Sequence, residues 1–151
     1  MRLNQKEWTA VVIAMFVVGF FFLFGGNLIS AFRETSMQNQ TQSKLILTDE
    51  IIGTGEEAAA GDRVTVNYTG HFVNGDIFDS SVARGEPFQF VLGAGQVIEG
   101  WDKGILGMRV GGKRTLSVPP EFGYGSKDYG PIPGGSTLIF DVELLKVEKG
   151  Q

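Results

Sequence analysis

The pattern of apolar and polar positions changes character at Lys44. Before it, Trp8 to Phe24 reads WTAVVIAMFVVGFFFLF, seventeen residues with no charge and one hydroxyl, and a looser apolar stretch continues through Leu28, Ile29, Ala31 and Phe32. Residues 33–43, RETSMQNQTQS, are polar, contain no aromatic or branched aliphatic residue, and read as a flexible linker. After Lys44 come short alternating runs punctuated by glycine. In Arg63 to Phe72, Val64, Val66 and Tyr68 share one face, while Arg63, Thr65, Asn67 and Thr69 share the other. That is a half-buried strand. Asn74-Gly75 follows, the strongest short hairpin signal. Phe88, Phe90 and Leu92 form a second alternating face. Arg114, Leu116 and Val118 form a third, closed by Pro119-Pro120, which cannot continue a central strand. The clearest alternation sets Leu138, Phe140, Val142 and Leu144 against Thr137, Ile139, Asp141 and Glu143.

A single interior segment, Ile98 to Leu106, reads as helical. Gly100 and Gly104 interrupt it, so propensity alone does not hold it. Packing must, with Trp101 as the anchor. The expected fold is α+β: a curved antiparallel sheet of five or six strands wrapped round one short helix, preceded by one transmembrane helix. A curved sheet leaves an apolar hollow against the helix, a natural ligand site.

At 1.5 Å per residue, the uncharged stretch from Trp8 to Phe32 is long enough for a hydrocarbon core of about 30 Å. Arg2 and Lys6 precede it, which predicts a cytoplasmic N-terminus and an extracytoplasmic remainder, with Trp8 at the interface. The alternative is a cleaved signal peptide and a secreted domain. Its apolar region is usually shorter and ends in an A-x-A-like site, for which the best candidate here is Ile29-Ser30-Ala31. A helix apolar on every side needs a large protein around it, so a buried helix of the soluble domain is disfavoured. The expected organisation is a cytoplasmic terminus over 1–7, a signal-anchor over 8–32, a linker over 33–43 and a globular domain over 44–151. At ~3.3–3.6 Å per residue the linker keeps that domain within a few tens of ångströms of the bilayer.

Composition narrows the chemistry. Of 151 residues, 22 are glycine and 5 proline, which favours tight turns in a β-rich fold over disorder. With no cysteine, disulfides, thiolate nucleophiles and cysteine-ligated metals are excluded. His71 is the one histidine, which rules out multi-histidine metal sites and reads as a strand residue. Neither a metal nor a cofactor is expected. Net charge is −4, with Arg2, Lys6 and Arg33 among the first 43 residues, so the globular part is mildly acidic and lacks the basic stripe of a nucleic-acid binder.

The candidate chemistry lies in Val66 to Ser81, VNYTGHFVNGDIFDSS, with Val97-Ile98-Glu99-Gly100-Trp101 and Phe122-Gly123-Tyr124-Gly125 further on. These segments offer aromatic rings, one carboxylate and few other polar groups. That set suits holding an apolar group such as a prolyl ring better than breaking bonds. By pattern alone each residue also has a plainer reading: Trp101 as core, Asp79 beside Ser80 and Ser81 as a turn or cap, Tyr124 as an exposed loop aromatic. Gly123-Tyr124-Gly125 lacks the strand–helix context of a nucleotide loop.

The segments VNYTG, FDSS, PFQFVLG, VIEGWDKGILGM, GGKRTLSVPPEFGYG and LIFDVELL resemble, in order and spacing, the FKBP-type peptidyl-prolyl isomerases over about Lys44 to Lys149. The resemblance implies a pocket that takes the proline ring of proline-containing peptides and folding client proteins. Its floor is Trp101 and its walls are Tyr68, Phe78, Phe88, Val97, Ile98 and Phe140, with Asp79 the single acid, Tyr124 the phenol at the rim and Ile132 in an overhanging flap. It further implies that Arg84 accompanies the acid, that the Ile98 backbone amide donates to ligands, and that macrolides of the tacrolimus and rapamycin type inhibit. Tyr68, Asp79, Ile98 and Tyr124 are then the expected catalytic set, Asp79 chiefly ordering the pocket through Tyr68 and Arg84. Two departures bear on substrate preference and macrolide affinity. The flap, Tyr124 to Pro133, is one residue shorter than in small eukaryotic members, with Asp128 or Tyr129 near the place of a common histidine. Pro133-Gly134 also replaces a common Pro-Pro.

Two rival functions belong to other classes. One is a proline-binding or chaperone module with weak catalysis. It is disfavoured because chaperone-type relatives carry a domain inserted in the flap, where only about eight residues separate Tyr124 from Pro133. The other is a degenerate scaffold, against which the intact pocket positions argue.

Overall fold

Every alternating run beyond Lys44 becomes a strand of one sheet in a computed structural model of the protein, which describes residues 44–151. The strands are β1 (Ile46–Ile51), β2 (Arg63–Phe72), β3 (Ile77–Ser80), β4 (Phe88–Val91), β5 (Lys113–Val118) and β6 (Leu138–Glu148). All pairings are antiparallel, in the order β1-β5-β6-β2-β3, with β4 also on β2. One edge of β2 is shared: Arg63 to Val66 pair with β4, and Thr69 to His71 pair with β3. Its other edge pairs with β6 along its whole length.

The inward face is the one the alternation marks. Val64, Val66 and Tyr68 of β2, Leu116 and Val118 of β5, and Leu138, Phe140, Val142 and Leu144 of β6 are all buried in a single cluster with Phe90, Leu92, Trp101 and Ile105. β1 is exposed along its full length, so it carries no alternating burial to read.

The helical content corrects the expectation of one helix. The expected one is present as a single-turn-and-a-half element, Glu99–Gly104, but it is preceded by another, Ser81–Arg84; in chain order these are α2 and α1. Four residues are too few for a 3.6-residue period to show, and α1 exists because its ends are capped. The Ser80 hydroxyl accepts from the Ala83 amide, and Gly85 leaves the helix at φ 68° while its N–H reaches the Ser81 and Val82 carbonyls. The cap is therefore Ser80, not Asp79.

The β2–β3 hairpin is also more specific than its Asn-Gly signal. Phe72 accepts from the Gly75 amide at 2.9 Å and donates to the Asp76 carbonyl at 2.9 Å, and only Gly75 in the loop has positive φ, 94°. This is a three-residue loop with a left-handed glycine in third place.

Among the described residues no helix is long and apolar enough to cross a membrane. The predicted span 8–32 and linker 33–43 lie outside those residues.

Candidate functional site

Glycine lets α2 lie against the sheet. A Cβ at Gly100 would stand 2.6 Å from Val118 Cγ1, and one at Gly104 would stand 3.0 Å from Leu116 Cδ2. That approach presents Trp101, 4% exposed, to Tyr68 of β2 and Phe140 of β6. Its indole sits edge-on to Tyr68 at 4.9 Å and to Phe140 at 5.3 Å, with Phe88 at 6.1 Å. Phe78 of β3 meets Phe140 at right angles at 5.6 Å and is backed by Phe72 at 5.0 Å. Edge-to-face packing of this kind is the favoured geometry of aromatic rings. A hollow of about 170 Å³ opens above it, lined by all the predicted pocket residues except Ile132: Tyr68, Phe78, Asp79, Phe88, Val97, Ile98, Trp101, Tyr124 and Phe140.

Ile132 is instead 5% exposed and part of the core cluster. Two hydrogen bonds to Tyr129, of 2.8 and 2.9 Å, make it the buried root of the flap. Gln96 lines the hollow and was not anticipated; its side-chain oxygen accepts from the Val91 amide at 2.9 Å, tying the loop before α2 to β4. A polar glutamine in a turn carries no sequence signal for such a role. Ser81 was likewise missed. It is fully buried, and its hydroxyl accepts from the Tyr68 amide at 2.8 Å, holding β2 to the start of α1.

The polar groups form a closed triangle. The Tyr68 hydroxyl donates to Asp79 Oδ2, Arg84 Nη1 donates to Asp79 Oδ1, and Arg84 Nη2 donates to the Tyr68 oxygen at 3.2 Å. β2 supplies the phenol, β3 the carboxylate and α1 the guanidinium. Burial alone raises the Asp79 pKa. The hydrogen bonds from Tyr68 and Arg84, with the guanidinium charge, outweigh that and hold the carboxyl below the usual range. Burial, then the bond to Asp79, pushes the Tyr68 phenol above its ordinary value. The acid is thus ionised and the phenol protonated across the neutral range, and both are committed to each other rather than to proton transfer.

Ile98 is the N-cap of α2, with its carbonyl accepting from the Trp101 and Asp102 amides at 2.9 and 3.2 Å. Its own N–H stands outside the helical ladder, and Ile98 is part of the hollow's lining. Among the described residues Trp101 Nε1 is buried with no hydrogen-bond partner. Among the described residues no group of histidine, aspartate and glutamate side chains is placed to hold a metal. His71 lies on β2 beside Asp141, 3.3 Å away, outside the hollow.

A second hollow of about 160 Å³ lies where the polar side chains of β2, β5 and β6 meet, lined by Asn67, Thr69, Lys113, Thr115, Asp141 and Glu143 among others. Its carboxylates and lysine are partly exposed, and Tyr68 is the single aromatic residue in its lining. It is similar in size to the aromatic hollow and different in chemistry.

Residues 54–145 match the family model described as FKBP-type peptidyl-prolyl cis-trans isomerase. FK506-binding protein 2 of Emericella nidulans is 50% identical over 111 residues, covering 73% of this chain and 82% of that protein. An FK506-binding protein of Neisseria meningitidis is 54% identical over 104 residues, covering 68% and 95%. Among solved structures, the crystal structure of AtFKBP13 superposes with a TM-score of 0.65 at 42% identity, over 68% of this chain and 91% of that one.

Proposed function

This chain belongs to the FKBP-type peptidyl-prolyl cis-trans isomerase family, and from that premise we propose that it turns X-Pro bonds outside the cytoplasm from a membrane anchor, binding the prolyl ring in the hollow above Trp101. The observation that carries the site is the pocket itself: six aromatic side chains around about 170 Å³, with its one carboxylate already spent on Tyr68 and Arg84.

Prolyl isomerisation breaks no covalent bond. The barrier is amide resonance, roughly 18–20 kcal/mol, and the uncatalysed event takes tens to hundreds of seconds. At the barrier the amide is twisted, and charge separation between its oxygen and nitrogen falls. A water-poor apolar hollow therefore favours the twisted form over the planar one. In this reading Trp101 floors the prolyl ring, while Phe78, Phe88, Phe140, Val97 and Ile98 exclude water. The Ile98 amide and the Tyr124 hydroxyl hold the substrate carbonyl, and Asp79 orders the wall that Tyr68 forms. Ile132 contributes by rooting the flap.

The same hollow is proposed to take tacrolimus- and rapamycin-type macrolides in competition with peptide, which the names of the Emericella and Neisseria relatives support. Location outside the cytoplasm rests on the sequence alone: an apolar run over 8–32 behind Arg2 and Lys6. A protease-coupled proline assay on the full chain in detergent, with tacrolimus titrated in, tests the site. Turnover that tacrolimus suppresses is expected. Normal turnover without macrolide binding would put the difference in the flap, and absence of both would remove the pocket assignment.

A further inference from the structure

Tyr124 reaches the hollow from a turn in which the Gly123 and Gly125 amides both donate to the Pro120 carbonyl, at 3.0 and 2.9 Å, so the backbone is held while the side chain's direction rests on its own contacts. It stands between Gly123 and Gly125, and a Cβ at Gly125 would meet nothing within 4 Å. Among the described residues no hydrogen bond holds its hydroxyl, although burial raises the phenol's pKa and the ring is still 37% exposed. Its ring contact is with Tyr129, whose plane lies 13° from its own at a centroid separation of 4.4 Å. Tyr129, 61% exposed, is no part of the hollow's lining.

The backbone under Tyr129 is the firm part. Its N–H donates to the Ile132 carbonyl at 2.8 Å and its carbonyl accepts from the Ile132 amide at 2.9 Å. Ile132 is in the core. On either side, the Asp128 carboxylate accepts from the Gly134 amide at 2.8 Å, and the Gly135 amide donates to the Gly125 carbonyl at 2.8 Å. A continuous mechanical path therefore runs from the core through Ile132 and Tyr129 to the Tyr124 phenol.

We propose that Tyr129 is a positioning residue of the isomerase: stacked on Tyr124 and rooted through Ile132, it fixes the direction of the Tyr124 hydroxyl over the hollow. The inference rests on the isomerase function above. An exposed tyrosine in a flap has a bland explanation as a solvent-facing loop residue, but a near-parallel pair at 4.4 Å covers ring area that both residues otherwise leave in water.

The test uses the full chain in detergent with a short proline peptide. Tyr129→Ala is expected to lower kcat/KM by roughly two- to tenfold, the span of a stacked ring pair. Tyr129→Phe, which keeps the ring, restores it, and Tyr129→Leu does not. Because Tyr129 acts through Tyr124, adding Tyr129→Ala to a Tyr124→Ala protein produces no further loss. A purely structural role predicts the opposite: a lowered Tm and a full additional loss in the Tyr124→Ala background. With three tyrosines in the chain, 3-fluorotyrosine labelling adds a readout independent of turnover. Tyr129→Ala should move the Tyr124 resonance and leave that of Tyr68 in place. An unchanged Tyr124 resonance, or full additivity, overturns the inference while wild-type turnover still upholds the isomerase. Absent wild-type turnover, even with the resonance shift present, removes the isomerase function and the proposal with it.

Discussion

Asp79 sits between a phenol and a guanidinium, and that placement separates the two tasks a pocket acid can have. Its lowered pKa means that the stability it contributes is present above its unfolded pKa of about 4 and is lost as pH falls through the folded value. Tyr68 has a raised pKa, so its contribution is present below about pH 10 and is lost as pH rises through the folded value. Between these limits neither changes state. Isomerisation of a proline peptide, followed by exchange NMR, is expected to be flat from about pH 5 to pH 9; a limb with a midpoint inside that window would mark a working acid or base. Truncation at the pocket separates shape from charge. Phe78→Ala removes an apolar wall of the hollow, and at ~25 cal/mol per Å² of lost apolar contact is expected to lower kcat/KM roughly tenfold. Asp79→Ala leaves the Tyr68 oxygen its bond from Arg84 and is expected to cost less. A larger loss from Asp79→Ala than from Phe78→Ala would assign the carboxylate a direct electrostatic role on the twisted amide.

Helix α2 shows which of two opposed effects governs an element. Alanine is a better helix former than glycine by about 1 kcal/mol, so propensity alone predicts that Gly100→Ala stabilises. Packing predicts the reverse. The new Cβ would lie 2.6 and 2.9 Å from the two methyls of Val118, which is fully buried and has nowhere to go. Overpacking of this kind costs about 1–3 kcal/mol, so Gly100→Ala is expected to lower unfolding free energy by about 1–2 kcal/mol in urea titration and to displace Trp101. Gly104→Ala meets the methyl ends of Leu116 at 3.0 and 3.1 Å and of Leu47 at 3.2 Å, all at the tips of longer side chains, and should be milder. Equal and stabilising effects of both would show that the helix stands further from the sheet. The helix C-terminus has its own support, since Arg114 Nη1 donates to the Gly104 carbonyl at 2.8 Å while its other nitrogens grip Asp49 of β1.

At the scale of the whole molecule, the ten residues that line the aromatic hollow and the six strands of the described residues lie within 44–151. A fragment of those residues is expected to fold and to turn over a short peptide at nearly the full-chain rate, the loss of residues 1–43 changing only where the enzyme resides. A large fall in activity would make the amino-terminal segment part of the catalytic unit. In cells, protease added to spheroplasts is expected to digest the domain, and its protection would reverse the proposed orientation. Amino-terminal sequencing of the mature chain separates an uncleaved anchor from a product that begins near Phe32.

By itself, the sequence determined the inward face of β2, β4, β5 and β6, because a period of two in Val64, Val66 and Tyr68 or in Leu138, Phe140 and Val142 is local and survives any arrangement of the strands. The family resemblance likewise placed the rings and the acid of the pocket before any distance was known. Tertiary structure alone decided what depends on residues far apart in the chain or on backbone ends. The pairing of β1 with β5 was invisible because β1 buries nothing in alternation. Helix α1 was invisible because its existence rests on the Ser80 and Gly85 caps rather than on a hydrophobic stripe. The same holds in the flap, where the pattern leaves Tyr129 and Ile132 as two nearby apolar residues. Two backbone hydrogen bonds send one ring outward onto Tyr124 and the other side chain into the core, a division made by chain direction in a turn and carried by no periodicity.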